Sequence, residues 1–255
     1  NATGFFVDDV MKMDECDTRR KVRPSQGVHL VVDSKFLGGR SALMIPKTKD
    51  GRVLFGVPWH GKVVLGTTDT PLNEASLEPR ALEEEVDFIL DQAGQYLDRK
   101  PTRADVLSIF AGLRPLAAPT HADSKKTKEI SRNHKIYRSK SGLLTITGGK
   151  WTTYRAMAED VINQAIVIGG LSPAECVTKN LRVHGYTKEQ FDENDWNYVY
   201  GSDADKIQKM IEKEPSFAEK LYEGYTFTAA HVVWAAREEF AQNIEDVLAR
   251  RVRML

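Results

Sequence analysis

The chain has 255 residues, of which 41% are hydrophobic and 28% are charged, as expected for a globular protein with a sizeable core. Its 36 basic and 36 acidic residues balance, so net charge alone neither favours nor excludes a polyanionic partner. No apolar run approaches the ~20 residues of a membrane span. Cys16 and Cys176 form no CxxC pair, which favours free thiols in a reducing, cytoplasmic setting.

The first half of the chain changes from a short helix to a β-rich segment. Residues 5–14 predict the helix, and residues 28–69 contain short apolar runs separated by turn signals. The tight turns at 49–51 and 60–62 favour antiparallel hairpins over parallel strands joined by helices. A helical stripe then extends from Pro79 to Asp98.

The second half begins with an apolar segment at 104–118, which we expect to enter the core although it contains Arg114. A strand pair is predicted at 134–138 and 143–147. The helix after it begins past Trp151, ends at Gly169–Gly170, and should bury Met157, Val161, Ile162, Ala165 and Ile168. Beyond residue 171 the pattern is mostly helical, at 203–213, 216–223, 228–239 and 243–252.

Common catalytic motifs are largely absent. No two glycines are separated by a single residue, which excludes GxGxxG, and there is no Walker A sequence, HExxH, GxSxG or Cys/His metal spacing. We therefore expect no metal site. The basic run at 250–253 lies among acidic residues, so no nucleic-acid partner is expected.

The strongest local signal is the turn Gly148-Gly149-Lys150-Trp151-Thr152-Thr153 between a strand and a helix. Glycines permit close approach to the backbone, and free N–H groups at a helix start favour an electron-rich ligand. The alternative is a plain turn in which the glycines only relieve crowding.

Three further side chains are candidates for chemistry. Arg114 lies in an apolar segment, where a guanidinium needs either a structural carboxylate or an anionic ligand. Arg132 begins a strand beside several lysines and is either a solvated charge or a second fork for the same anion. His29 lies inside a strand, where most histidines are structural and a minority act as bases.

Six motifs occur in the order NATG, GVHLVV, PWHGKVVLGTTDTP, GLRPL, SRNHKI and TGGKWTTYR. Together they resemble the FAD-dependent glycerol-3-phosphate dehydrogenases, flavoenzymes that pass electrons to quinone. The resemblance covers residues 1 to about 170. It extends more loosely into the helical tail, where NIEDVLARRVRML is similar to the family's C-terminal domain.

The resemblance implies specific roles, with FAD as cofactor and glycerol 3-phosphate as substrate. Arg114 and Arg132 would hold the phosphate, and His29 would take the C2 hydroxyl proton while hydride leaves for the flavin. Lys150 would lie near the flavin and the substrate oxygens. The helix start would face the flavin, where its positive end stabilises the negative charge of the reduced ring. The implied FAD-binding residues are Ala2, Thr3, Gly4, Gly148, Gly149, Lys150, Trp151 and Thr152.

The implied fold is mixed, α+β or α/β. An antiparallel substrate-binding sheet and the remnant of a Rossmann-like FAD-binding layer are followed by an all-helical C-terminal domain. Four segments are predicted. Residues 1–24 are the tail of the FAD-binding domain, and residues 25–110 form the antiparallel sheet domain. Residues 111–170 form the substrate-site segment and the return to the FAD-binding domain, and residues 171–255 form the helical domain. Because the family's GxGxxG strand is missing, we expect a fragment that binds little FAD and is inactive alone.

Three alternatives remain open. The α-glycerophosphate oxidases, which use oxygen, carry a sizeable insertion after the GLRPL region, so the short 119–133 connection favours a dehydrogenase. An amino-acid or amine oxidase is less favoured, since two arginines and the GTTDT segment suit phosphate better than a carboxylate. A non-catalytic anion-binding module is the third. The expected partners are glycerol 3-phosphate, quinone at the inner face of the plasma membrane, and a second copy in a homo-oligomer.

Overall fold

The computed structural model describes residues 1–15, 19–118, 133–190, 192 and 195–254. The chain forms two compact units, Asn1–Lys179 and Asn180–Leu255. The first combines helices with an antiparallel sheet, and the described part of the second is mainly helical. This arrangement confirms the predicted fold class. The units divide at 179/180 rather than 170/171, and the assignment of four functional segments stays a prediction.

The first unit contains a six-stranded sheet in which every pair of neighbouring strands is antiparallel. Its strands are β1 (Val22–Asp33), β2 (Leu43–Ile45), β3 (Leu54–Trp59), β4 (Lys62–Gly66), β5 (Thr70–Pro71) and β6 (Val106–Ala117). Strands β2, β3, β4 and β1 are neighbours in that order, β5 pairs with the same edge of β1 as β4, and β6 pairs with the other edge. The antiparallel pairing of β2, β3 and β4 confirms the predicted hairpins.

One face of this sheet packs against helix α2 (Glu83–Gly94) and forms the core. Val28, Leu30 and Val32 alternate along β1 and are fully buried, as period-two side chains on a covered face should be. Each such side chain stabilises the fold by about 1.5–3 kcal/mol through removal from water. The opposite face of the sheet is consequently the one that carries the odd-numbered residues of β1.

Helix α2 begins four residues later than predicted. Leu82 has an extended backbone, and its N–H donates to the Glu85 carboxylate at 3.0 Å, which satisfies an N–H that would otherwise lack a helical partner. The helix therefore begins at Glu83, and Pro79 is not its first residue. It ends at Gly94, four residues before the predicted end.

Strand β6 corrects the expectation that 104–118 enters the core. Leu107, Ile109 and Phe110 are about half exposed, and only Leu116 and Ala117 are buried. The reason is that, among the described residues, β6 pairs only with β1 and forms an edge of the sheet. The boundaries predicted at 24/25 and 110/111 also fall inside β1 and β6, which continue through them.

A second layer of this unit is a hairpin of β7 (Lys135–Arg138) and β8 (Leu144–Thr147), as predicted. Helices α1 (Val7–Asp14) and α3 (Tyr154–Ile168) lie against β8. The predicted buried stripe of α3 is only half-buried, and Ile162 is 56% exposed. Ile162 lies about 100° around the helix from Val161, at the margin of the stripe, whereas Ile168 at the end of the helix is partly covered.

The second unit contains α4 (Ala204–Lys213), α5 (Ala229–Glu238) and α6 (Ile244–Arg250) around their own core. The helix predicted at 216–223 is wrong. Only a 3-10 turn forms at Pro215–Ala218, because the chain reverses at Gly224 and Lys220 pairs with Thr228 in an isolated bridge. None of the helices in the described ranges has the length and hydropathy required to cross a bilayer.

Candidate active site

The strand register places His29 and Arg114 on the same face of the sheet. On β1, Ser25 and His29 lie on the face opposite α2, and across the ladder they are paired with Arg114 and Phe110 of β6. This face is open in the first unit, where Phe110 is 49% exposed. Two of the four side chains predicted to act on substrate therefore share one accessible surface.

A gap in the β1 edge lies beside these side chains. Strand β4 pairs with residues 29–33 of β1 and β5 with residues 25–26, so the connection 67–69 has no ladder partner. The hydroxyl of Thr68 accepts a hydrogen bond from Val28 N at 3.0 Å in place of a backbone carbonyl. Because this connection is outside the ladder, its polar groups can form hydrogen bonds with the Arg114 guanidinium.

Arg114 binds this connection through both terminal nitrogens. Nη1 donates to the Thr68 carbonyl at 3.2 Å, and Nη2 donates to Thr67 Oγ1 at 2.9 Å. The Asp69 carboxylate lies 4.0 Å from Nη1 and accepts a short hydrogen bond from Ser25. Asp69 is thus the carboxylate that the structural interpretation of Arg114 required. Because the Arg114 side chain is 27% exposed, the guanidinium also retains access to an anion from solvent.

His29 has the environment of a neutral imidazole. Its ring stacks on Phe110 with centroids 5.0 Å apart and an interplanar angle of 13°. Burial lowers the pKa of His29 below its usual 6.5, and the positive charge of Arg114 lowers the pKa further. At pH 7 the imidazole is therefore mostly unprotonated and able to accept a proton. Its role as the base stays a prediction.

Two glycines create the space that these side chains occupy. A Cβ atom at Gly66 would lie 2.3 Å from His29 Cδ2, and one at Gly27 would lie 2.3 Å from Arg114 Nη2. Both positions are inside or at the end of strands, where glycine marks a close approach. Sequence reasoning missed them, although the isolated glycines in GVHLVV and VVLGTTDT were a usable signal.

Gly27→Ala should weaken binding of inorganic phosphate at Arg114 about tenfold without unfolding the protein, because the new methyl group would displace a flexible guanidinium rather than backbone. Gly112→Ala is a matched control. Gly112 is paired with Gly27, and a Cβ there meets no atom within 4 Å. Thermal unfolding and an equilibrium titration with inorganic phosphate would measure both effects. Equal affinities in the two variants would contradict a role for the Arg114 position in binding.

The predicted FAD-binding turns meet at one edge of the second layer. Asn1 N donates to the Leu144 carbonyl at 2.7 Å, and Ile146 N donates to the Asn1 carbonyl at 3.0 Å. This pattern is that of neighbouring parallel strands, which leave a sheet at the same edge. Residues 2–4 and 148–152 therefore emerge side by side, in the manner of a nucleotide-binding layer.

Backbone conformation and packing within the chain both favour glycine at positions 148 and 149 of the second turn. Gly148 and Gly149 have φ values of +74° and +84°, and a Cβ at Gly149 would lie 2.2 Å from the Met157 sulfur. Relief of crowding, the plain alternative, is thus part of the explanation. The turn also suits a planar ring, because Trp151 is 86% exposed and stacks on Tyr154 at the start of α3. Exposed aromatic surface and a helix N-terminus fit the isoalloxazine of FAD.

The other predicted site residues are placed as follows. Lys150 is exposed at the start of the turn. Arg132 lies outside the described residues, so the clamp that it would form with Arg114 stays a prediction. Within the described ranges, no group of three or more His, Cys, Asp or Glu side chains could hold a metal ion.

Residues 1–155 match the family described as "FAD dependent oxidoreductase". The chain belongs to this family. Residues 144–255 match a second family, described as "C-terminal domain of alpha-glycerophosphate oxidase". The two matches overlap at residues 144–155, which include β8 and the turn after it. The oxidoreductase match therefore includes the sheet and both predicted FAD-binding turns.

Relatives of this chain include two mitochondrial enzymes. The chain is 39% identical to glycerol-3-phosphate dehydrogenase SDP6 of Arabidopsis thaliana, over all of this chain and 44% of that protein. It is 36% identical to glycerol-3-phosphate dehydrogenase of Homo sapiens, over all of this chain and 37% of that protein. The chain thus spans less than half the length of these relatives.

A solved structure is similar to the chain as a whole. The glycerol-3-phosphate dehydrogenase from Bacillus halodurans, complexed with FAD, matches with a TM-score of 0.79 and 30% identity. The match covers 99% of this chain and 52% of that one. The antiparallel sheet, the second layer and the helical unit therefore belong to the fold of a FAD-dependent oxidoreductase.

Proposed function

We propose that this chain supplies the substrate-binding face and part of the flavin site of a longer flavoenzyme, which oxidises glycerol 3-phosphate to dihydroxyacetone phosphate. The observation that carries the proposal is the placement of His29 and Arg114 on one open sheet face, with the guanidinium held by three neighbouring residues. The names of the relatives support the substrate.

The chemistry requires a proton acceptor, a hydride acceptor and a group that fixes the carbon atom between them. FAD, when bound, supplies the acceptor for the hydride that leaves C2. His29 accepts the proton of the C2 hydroxyl and becomes an imidazolium, while the C2–O bond becomes a carbonyl. The stacked Phe110 keeps the imidazole ring in one plane during this transfer.

Arg114 holds the phosphate in this proposal. A planar fork suits phosphate because two parallel N–H groups can each donate to an oxygen. Thr67 and the Thr68 carbonyl fix the plane of that fork before substrate arrives. Arg132 supplies a second fork, and Lys150 neutralises negative charge near the flavin and the substrate oxygens.

The proposal is tested by following the His29 imidazole by NMR during a pH titration of this chain. Without ligand the pKa should lie below 6.5, because of burial and the charge of Arg114. Glycerol 3-phosphate should raise it, since the bound dianion offsets the Arg114 charge. Glycerol should leave it unchanged. An identical titration with and without glycerol 3-phosphate, at saturating ligand, would remove the support for a phosphate site beside His29.

We further propose that the whole flavoenzyme passes its electrons to quinone by peripheral contact with a membrane surface. In this proposal it is a cytoplasmic protein that assembles as a homo-oligomer. The short connection at 119–133 and the dehydrogenase names of the relatives support quinone over oxygen. Reoxidation of the reduced enzyme should be fast with a soluble quinone and slow with dissolved oxygen. Fast reoxidation by oxygen alone would instead favour an oxidase.

A further inference from the structure

A buried carboxylate lies behind the proposed phosphate site, on the opposite side of the sheet. Glu85, in the first turn of α2, is only 3% exposed. No motif predicted a role for it. Because an unsatisfied buried carboxylate is costly, its hydrogen-bond partners identify what it stabilises.

Four donors converge on the two oxygens of Glu85. Oε1 accepts from Thr68 Oγ1 at 2.9 Å and from Thr70 Oγ1 at 2.6 Å. Oε2 accepts from Gln26 Nε2 at 2.7 Å and from Leu82 N at 3.0 Å. A carboxylate is the side-chain group that can accept on both oxygens, whereas an amide would turn an NH₂ group toward two of these donors.

The carboxylate is held in its ionised form by these contacts. Burial alone would raise the pKa of Glu85, but the hydrogen bonds from Leu82, Thr70, Gln26 and Thr68 together lower it below its usual value. Glu85 thus remains a full acceptor at neutral pH.

The contacts of Thr68 connect this carboxylate to Arg114. Thr68 donates its hydroxyl hydrogen to Glu85, accepts from Val28 N, and offers its backbone carbonyl to Arg114 Nη1. Asp69, which faces the same nitrogen, lies between Thr68 and Thr70, both of which Glu85 binds. The connection that orients Arg114 is therefore fixed from behind the sheet.

We propose that Glu85 is a positioning residue for the phosphate site, which acts through Thr68 and Thr70 to hold the Arg114 fork in its binding orientation. This rests on the proposed function of Arg114. If Glu85 only stabilised the start of α2, its substitution would lower stability without distinguishing substrates that contain phosphate from substrates that lack it.

The test is steady-state kinetics in the whole flavoenzyme, with glycerol 3-phosphate and glycerol as substrates. Glu85→Gln should raise the KM for glycerol 3-phosphate about tenfold with little change in kcat, and should hardly affect kcat/KM for glycerol. In an Arg114→Lys background the same substitution should change KM less than about twofold, because its effect passes through the fork. Glu84→Gln, an exposed neighbour in α2, is the matched control.

A milder pair of variants guards against misfolding. Thr70→Val keeps the shape but removes one donor to Glu85, and Thr70→Ser restores the hydroxyl. Valine should raise the KM for glycerol 3-phosphate and serine should return it to the wild-type value. Failure of Arg114→Lys to change this KM would overturn the proposed function itself. Arg114→Lys could raise this KM as expected while Glu85→Gln and Thr70→Val leave it unchanged, or lower kcat/KM equally for glycerol 3-phosphate and glycerol. Either result would overturn only the role of Glu85.

Discussion

Arg114→Lys is expected to raise the KM for glycerol 3-phosphate at least about tenfold while kcat changes little. Lysine keeps the positive charge but cannot bind Thr67 and the Thr68 carbonyl while presenting a planar fork to phosphate. Each charge-assisted contact contributes about 1.5–3 kcal/mol. Since the phosphate is bound similarly before and during the reaction, the loss should appear mainly in KM, measured by steady-state kinetics in the whole flavoenzyme.

Glycerol separates this role from a structural one. It offers no phosphate to the guanidinium, so its kcat/KM should be almost unchanged in Arg114→Lys. Arg138→Lys, at an exposed position of β7, controls for the substitution itself. Equal losses on both substrates would show that Arg114, through its ion pair with Asp69, serves the fold or the flavin, and the phosphate assignment would then be wrong.

His29→Gln is expected to lower kcat by about 10²–10⁴-fold, the range for loss of a general base. Glutamine can still form a hydrogen bond with a substrate hydroxyl but cannot take its proton, so KM should change much less. The measurement is the rate of flavin reduction by glycerol 3-phosphate under single-turnover conditions. His184→Gln, an exposed histidine of the helical unit, should retain the wild-type rate.

The pH dependence gives an independent check on His29. Protonation removes its ability to act as a base, so kcat/KM should fall as the pH falls. Because burial and the Arg114 charge lower the pKa of His29, this fall should occur below pH 6.5. The acid limb should disappear in His29→Gln. A retained limb, or a rate within about twofold of wild type, would mean that another group accepts the proton.

The hairpins were predictable because each depends on residues close together in sequence. Turn signals at 49–51 and 60–62 lie between runs of β-branched residues, and β3 and β4 pair directly across the second turn. The alternating burial of Val28, Leu30 and Val32 also follows from local pattern. Such features fix which elements form and which sheet face is covered.

The surroundings of Arg114 and His29 were not predictable, because they depend on register between distant strands. Gly27 matters only because it lies beneath the guanidinium of Arg114, and Gly66 only because it is paired with His29. The four donors to Glu85 come from three separate segments of the chain. A single sequence contains no pairing information of this kind.

Helix periodicity also overestimated burial. The apolar stripe of α3 follows the correct spacing, yet Ile162 remains exposed because it lies about 100° around the helix from Val161, at the margin of the stripe. Periodicity identifies the face that a helix turns toward its neighbour, but apolar side chains at the margin of that face can stay exposed.

Anaerobic reduction of the bound flavin tests the central proposal most directly. The oxidised whole flavoenzyme is mixed with one equivalent of glycerol 3-phosphate, and loss of the yellow colour is followed with time. We predict complete bleaching by glycerol 3-phosphate, much slower bleaching by glycerol, and strong slowing of the first reaction in His29→Gln. Flavin that stays oxidised with glycerol 3-phosphate, or that glycerol reduces equally fast, would contradict the assignment of this chain to glycerol 3-phosphate oxidation.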